Sequence, residues 1–449
     1  VKTASPLPPN PGKPNQAAST LSAVPVLLFG FFGLSNALRL NIGGQLSGFE
    51  VLAMAGAALA LFLPGQQRRP LDFRLLLIGV GAWLGWQLLV DAYQAVGVIN
   101  LAKGAARVVT FGASLLFLLH FVVRDRVRLG SFLVGLGFSF IVDYFLDGRY
   151  ISSNDPWKWC WGPAATFVCL GVLLMADVKS KLTWRLCLIV LSICHFAFNF
   201  RSLGASCFLA GVAPFFWPLI KNVGVWVRMG VAVGAVVVFA IAYNFLAAGG
   251  HLGTKAQEKH AMQAKDGAGP FSLLAGGRKE YRASIKAIKE QPIIGYGSWA
   301  QHPEFVYELH DPEDGEFSLD KFSTAMELGI IPTHSHLMGA WVDGGILPGL
   351  FWLSIWCYVF YLVCRLDWSR AADDCLALLF GGGLLWSILF SPFGTGNRLT
   401  TALGLCIVLC RGWSELVAKP APVASQGPVS DAMNVRRRWS LRTARRLTQ

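Results

Sequence analysis

Val223–Leu246 reads VGVWVRMGVAVGAVVVFAIAYNFL, and Arg228 is its only charged residue. About 20 apolar residues at a helical rise of about 1.5 Å each cross the hydrocarbon core of a bilayer. A helix also satisfies its own backbone polar groups, which lipid cannot do. Pro25–Leu38, Gly48–Leu63, Leu75–Val90 and Val108–Val123 are runs of the same kind. The 449-residue chain is 54% hydrophobic and only 14% charged, whereas a soluble domain carries about 25% charged residues. The sequence therefore predicts an all-α polytopic integral membrane protein. Twelve transmembrane helices are expected near 23–38, 48–63, 75–96, 104–123, 129–146, 160–176, 183–200, 203–220, 223–247, 337–364, 374–391 and 398–416.

The spans divide the chain into five parts. Residues 1–22 are polar, rich in Pro and Asn, and read as a disordered cytoplasmic tail with no cleavable signal peptide. Residues 23–247 hold nine spans, 248–336 form one large extracytoplasmic segment, 337–416 hold three more spans, and 417–449 are a basic cytoplasmic tail. The orientation follows from the bias of Lys and Arg toward cytoplasmic loops. Loops Pro64–Arg74, Arg124–Leu129, Asp177–Arg185, Leu219–Arg228 and Cys364–Asp373 hold thirteen Lys or Arg, against six in the short loops on the other side. The tail cations Arg436, Arg437, Arg438, Arg442, Arg445 and Arg446 then face the cytoplasm, where anionic lipid attracts them. The net charge of +13 thus points to membrane lipid as a partner and not to nucleic acid. None of the ten cysteines lies in Gly249–Thr333, so there is no disulfide framework and no Cys-based metal site.

Inside the large segment, Tyr281, Ile285 and Ile288 sit three and four apart, the spacing of a short amphipathic helix over Arg278–Gln291. Pro292 ends it, and Gly295-Tyr296-Gly297 reads as a turn. His310–Glu316 reads as a solvated acidic loop. The outer face carries cations against the general trend: Arg39, Lys103, Arg149, Lys158, Arg201 and Arg398 in short loops, Arg278 and Arg282 in the large segment, and Arg107 just inside a helix. The Arg fork suits phosphate oxygens, and the alternative for each is a headgroup contact or a neighbouring acid. Thr333-His334-Ser335-His336 stands where the outer segment re-enters the membrane. Imidazole titrates near pH 6.5 and can take a proton from a hydroxyl. A His pair at i and i+2 could also bind a metal; no compact acidic set accompanies it, though Asp311 and Asp314 could come in from the loop, and the expectation is no metal and no cofactor.

Three stretches carry a resemblance. His334-Ser335 followed by Gly345 and Gly349 resembles the His-(Asn/Ser/Gln)…Gly…Gly signature of bacterial O-antigen ligases and their Wzy-type polymerase relatives. Asn199-Phe200-Arg201-Ser202-Leu203-Gly204-Ala205 resembles that family's Ser-Arg-Gly-Ala stretch at the outer end of a helix. Gly277-Arg278 with Tyr281, then Pro292-Ile293-Ile294-Gly295-Tyr296-Gly297, resembles its Gly-Arg…Trp…Pro-Leu-Leu-Gly-x-Gly stretch. Asn199 and Phe200 depart from the Ser that often precedes the Arg, Tyr281 from the usual Trp, and Asp343 from a common Glu.

The resemblance implies a GT-C-like glycosyltransferase in the inner membrane with its active site in the periplasm. The donor would be a glycan on undecaprenyl pyrophosphate and the acceptor a sugar hydroxyl of lipid A–core. His334 would be the catalytic base, and Arg201 and Arg278 would bind the pyrophosphate. His336, Arg282, Arg39, Arg107 and Arg149 are further candidates for substrate binding. A polymerase or a protein O-oligosaccharyltransferase of the same superfamily is the nearest alternative. A flippase of lipid-linked sugars is a different class; it would use polar residues at helix midplanes, for which Asp91, Asp143 and His195 are candidates.

Overall fold

The computed structural model describes residues 23–41, 44–62, 71–146, 155–251, 253–254, 257, 260–261, 280–307, 329–368 and 370–418. The N-terminal tail, the acidic run 310–316, Arg149 and Arg278 lie outside the described residues. Residues 1–410 form one compact unit and 411–449 a second.

The described chain is almost wholly helical. Helix α1 (Ala23–Leu34) runs through a tight turn, Ser35–Ala37, into a small antiparallel hairpin, β1 (Arg39–Asn41) and β2 (Gln45–Ser47), with Leu40 opposite Leu46. Then come α2 (Gly48–Phe62), α3 (Leu71–Tyr93), α4 (Val98–Phe117), α5 (Arg126–Leu146), α6 (Gly162–Met175), α7 (Lys181–Ala197), α8 (Arg201–Ile220) and α9 (Val225–Ala248). The large segment contributes α10 (Glu280–Glu290) and the short α11 (Pro303–Tyr307). The chain closes with α12 (His336–Gly344), α13 (Ile346–Cys364), α14 (Ala371–Phe390) and α15 (Thr395–Ala418).

Helices occupy the regions of the twelve expected spans, but not all of them have the length and apolarity of a span. Among the described residues, seven helical stretches are long and apolar enough to cross a membrane, including Leu71–Tyr93, Val98–Val122, Arg126–Leu146 and Ile346–Cys364; Ala23–Ala37, Gly48–Ala60 and Val225–Val238 are apolar but shorter. The protein is a polytopic membrane protein. Helix α9 fits this solvent: Trp226, Val231, Val236, Val238 and Phe245 are all at least half exposed, as lipid-facing side chains on a peripheral helix should be.

Two expectations change. The tenth span, expected as one helix over 337–364, is two helices that break at Gly345. On α10 the buried face is Ala283, Ser284 and Ala287, while Ile285 is exposed. Small side chains let α10 sit close to α12, so the buried face is centred beside the expected stripe, with Tyr281 and Ile288 partly buried at its edge.

Close approach also sets the α1–α5 contact, where dispersion rather than water exclusion must drive association. A Cβ on Gly33 would stand 2.2 Å from the Phe132 carbonyl oxygen, and one on Gly135 would stand 1.9 Å from the Gly30 carbonyl oxygen. Buried ion pairs tie distant helices. Glu50 on α2 accepts from Arg398 on α15 at 2.5 and 3.0 Å, and the Ser47 amide supplies a further donor at 2.8 Å. Arg39 on β1 grips Asp143 on α5 with two bonds of 2.9 and 2.7 Å. Two of the anomalous outer cations are thereby accounted for as tethers.

Gly135→Ala should lower the midpoint of thermal unfolding in detergent, because overpacking costs about 1–3 kcal/mol. Gly81→Ala, mid-helix in α3 with no atom within 4 Å of the added Cβ, should leave it unchanged or raise it by the higher helix propensity of Ala. Equal midpoints for the two variants would contradict the α1–α5 packing.

Candidate functional site

The site is organised around the C-terminal end of α14. The last four carbonyls of a helix have no partner within the helix, and at a membrane boundary they need one. Ser387 O receives the Ser391 amide at 3.0 Å. Ile388 O receives the Ser335 hydroxyl at 2.9 Å, and Leu389 O receives the Tyr281 hydroxyl. One residue on, Ser391 O receives His336 Nδ1 at 2.6 Å. The His334–His336 stretch and α10 are thus both bonded to α14.

Ser335 acts twice. Its Oγ also accepts the Met338 amide at 3.1 Å, the N-cap arrangement that starts α12. That places the neighbouring His334 just before the helix, with its side chain 44% exposed. His336 is different. It is fully buried; Nδ1 donates to Ser391 O, and Nε2 accepts from Thr401 Oγ1 at 3.0 Å. Its ring packs against Trp352 and Phe393. With both ring nitrogens bonded, it holds α12 to α15. His336, expected as a possible substrate ligand, has both nitrogens engaged within the protein.

The 292–297 turn interlocks with the end of α12. Tyr296 N donates to Val342 O at 2.8 Å, Gly297 N to Asp343 O at 2.9 Å, and Ile346 N to Ile293 O at 3.0 Å. Trp341 Nε1 reaches Pro292 O at 2.8 Å. Gly345 has φ +74°, a left-handed conformation, and a Cβ there would stand 2.0 Å from Ile293 O. That contact requires glycine and breaks the span. Beneath the turn, Asp91 of α3 accepts the Ser298 amide at 2.7 Å, the Ser298 hydroxyl at 2.8 Å and Gln87 Nε2 at 3.0 Å. The turn is pinned to a membrane helix by a carboxylate.

Arg107 of α4 comes closest to the His334 stretch in kind. With Trp83, Thr333, Ser335, His336, Gly339 and Phe393 it lines a small cavity. Its guanidinium pairs with Asp343 at 2.7 Å. Arg107 Nε and Trp83 Nε1 are buried donors with no hydrogen-bond partner among the described residues. Arg201 is the first residue of α8, half-buried, and its Nε donates to Asn199 Oδ1 at 2.8 Å. Arg282 is exposed on α10. Among the described residues no three His, Cys, Asp or Glu converge as a metal site. His195 accepts from Trp157 Nε1 at 3.1 Å and donates to Thr166 at 2.9 Å. With Asp91 and Asp143 also engaged, the three midplane candidates for a transport path are all structural partners.

The sequence alone did not single out Gln87 or Ser298, and it marked Ser335 only as part of a motif, with no structural role. A buried Asp in a span must find donors, which is the one signal that pointed at Asp91, but nothing local names Ser298 as the donor.

No protein-family model and no curated protein sequence matches the chain.

Ser335→Ala removes a cap, worth about 1 kcal/mol, and orphans a buried carbonyl, at about 1–3 kcal/mol. Denaturant unfolding of the purified protein should register a loss of about 2 kcal/mol or more, and Ser335→Thr should recover much of it. A Ser335→Ala protein as stable as wild type would contradict the double role of the hydroxyl.

Proposed function

We propose that the protein is a glycosyltransferase of the O-antigen ligase type. It moves a glycan from undecaprenyl pyrophosphate to a sugar hydroxyl of lipid A–core at the periplasmic face of the inner membrane, across a twelve-span topology. The reading rests on one observation above the others: of the two histidines, His334 is half-exposed at the mouth of the bundle while His336 is sealed inside it. A base that serves two amphiphilic substrates belongs at such a boundary.

In the reaction, the acceptor oxygen attacks the anomeric carbon opposite the leaving group. A C–O bond forms to the acceptor and the C–O bond to the pyrophosphate breaks. His334 takes the acceptor proton, and the lipid pyrophosphate leaves as an anion. Growing negative charge is stabilised by fixed donors, the task assigned to Arg201 and Arg278. Arg107 and Trp83 are further donors beside the His334 stretch. No metal is needed when arginines hold the leaving group.

The test uses purified protein in nanodiscs with carrier-linked glycan and lipid A–core. Wild type should transfer in the presence of EDTA. His334→Ala should lose about 10²–10⁴-fold in rate while retaining donor binding. Transfer only to a second carrier-linked glycan would select the polymerase reading, and loss of donor binding with His334→Ala would make it a phosphate ligand. The orientation is tested separately with Gln301→Cys, an exposed position, in a cysteine-blocked background. It should react with an impermeant thiol reagent in intact spheroplasts; reaction only after permeabilisation would reverse the topology.

A further inference from the structure

His334 does not stand alone. Its Nδ1 lies 4.0 Å from Glu280 Oε1, and the Glu280 side chain is 28% exposed. The two residues are 54 positions apart by their numbers, 334 less 280, so their meeting is made by the fold. Glu280 is the first residue of α10, where a carboxylate is favoured by the helix dipole. One turn on, the Ser284 hydroxyl reaches Pro332 O at 3.1 Å. Tyr281, next to Glu280, bonds Leu389 O, and Ser335, next to His334, bonds Ile388 O. Both residues of the pair are therefore flanked by side chains fastened to adjacent carbonyls of α14. The bonds of Tyr281 and Ser284, just after Glu280, and of Ser335, just after His334, fix the register between α10 and residues 332–335.

We infer that Glu280 is a positioning residue for His334: it receives Nδ1–H, holds the imidazole in one tautomer, and so directs Nε2 to the acceptor hydroxyl. The inference rests on the proposed role of His334 as base. A carboxylate orienting a histidine is a recurrent arrangement in acyl transfer, and such bonds are often long before substrate binds and tighten in the complex. The carboxylate touches neither substrate. As the imidazole takes the acceptor proton, the neighbouring negative charge stabilises the cation that forms. His336 cannot substitute, since its two nitrogens are held by Ser391 and Thr401.

The test is a double-mutant cycle on the full chain in nanodiscs with the two lipid-linked substrates. Glu280→Ala should lower kcat about tenfold or more with donor KM unchanged, because the effect passes through proton transfer and not through pyrophosphate binding. Glu280→Gln, whose amide oxygen accepts the same bond without the charge, should fall between. In a His334→Ala background, Glu280→Ala should have no further effect, since a group that acts through another is silent when the other is gone. Unfolding midpoints of the three variants should match wild type, which separates positioning from folding. A Glu280→Ala protein with wild-type kcat overturns the inference, as does an equal loss in the wild-type and His334→Ala backgrounds. Either result leaves the base assignment of His334 standing. His334→Ala at the wild-type rate removes that assignment, and this inference with it.

Discussion

The unpaired carbonyl end of α14 is the constraint on which the site depends. Any helix that stops at the edge of a bilayer leaves carbonyls that water reaches poorly and lipid does not satisfy. Here Ile388, Leu389 and Ser391 are satisfied by Ser335, Tyr281 and His336. One of these donors comes from the large outer segment and two from the start of α12. The need of one helix end thus fixes α10 and the His334 stretch relative to the bundle. Each bond is worth only about 1 kcal/mol net, but leaving any of the three carbonyls unmet costs more than making the bond gains. The arrangement holds by the penalty for breaking it.

A second clamp lies at the other end of α12. There Gly345 allows the backbone to reverse against Ile293 O, and the 292–297 turn exchanges backbone bonds with Val342 and Asp343. Asp91 then fastens Ser298 to α3. His334 sits just before α12, next to the Ser335 clamp. A half-exposed imidazole on a short segment held at both ends is what the proposed transfer between two amphiphilic substrates would use. The two motif stretches, 292–297 and 334–349, are legible as one interlocked structure even though about 40 residues separate them.

Much of the fold can be read directly. Long apolar runs such as Val223–Leu246 and Leu75–Val90 have one stable solution in lipid, and each falls on a helix. Pro292 and the glycines after it mark the turn because their backbone chemistry is local. What is not legible depends on partners far along the chain. Arg398 and Glu50 are 348 positions apart, so Arg398 reads as an anomalous outer cation until its acid is seen. The resemblance distinguishes His334 from His336 by position only; the packing of Trp352, Phe393 and Thr401 around His336 shows one imidazole half-exposed and the other a buried strut. The centre of the buried stripe of α10 escapes apolar periodicity because it is alanine and serine, with Ile288 only at its edge. Arg278 and Arg149 lie outside the described residues, so their expected roles rest on the sequence resemblance alone.

A single displacement assisted by a boundary histidine has one stereochemical consequence. If His334 delivers the acceptor oxygen to the face opposite the pyrophosphate, the anomeric configuration must invert once. The direct measurement is NMR of the new glycosidic linkage made by purified protein from a donor of known configuration, with chelator present. Inversion at the anomeric carbon is the expected result. Retention would require a covalent or front-face route and would contradict His334 as the base of a one-step transfer.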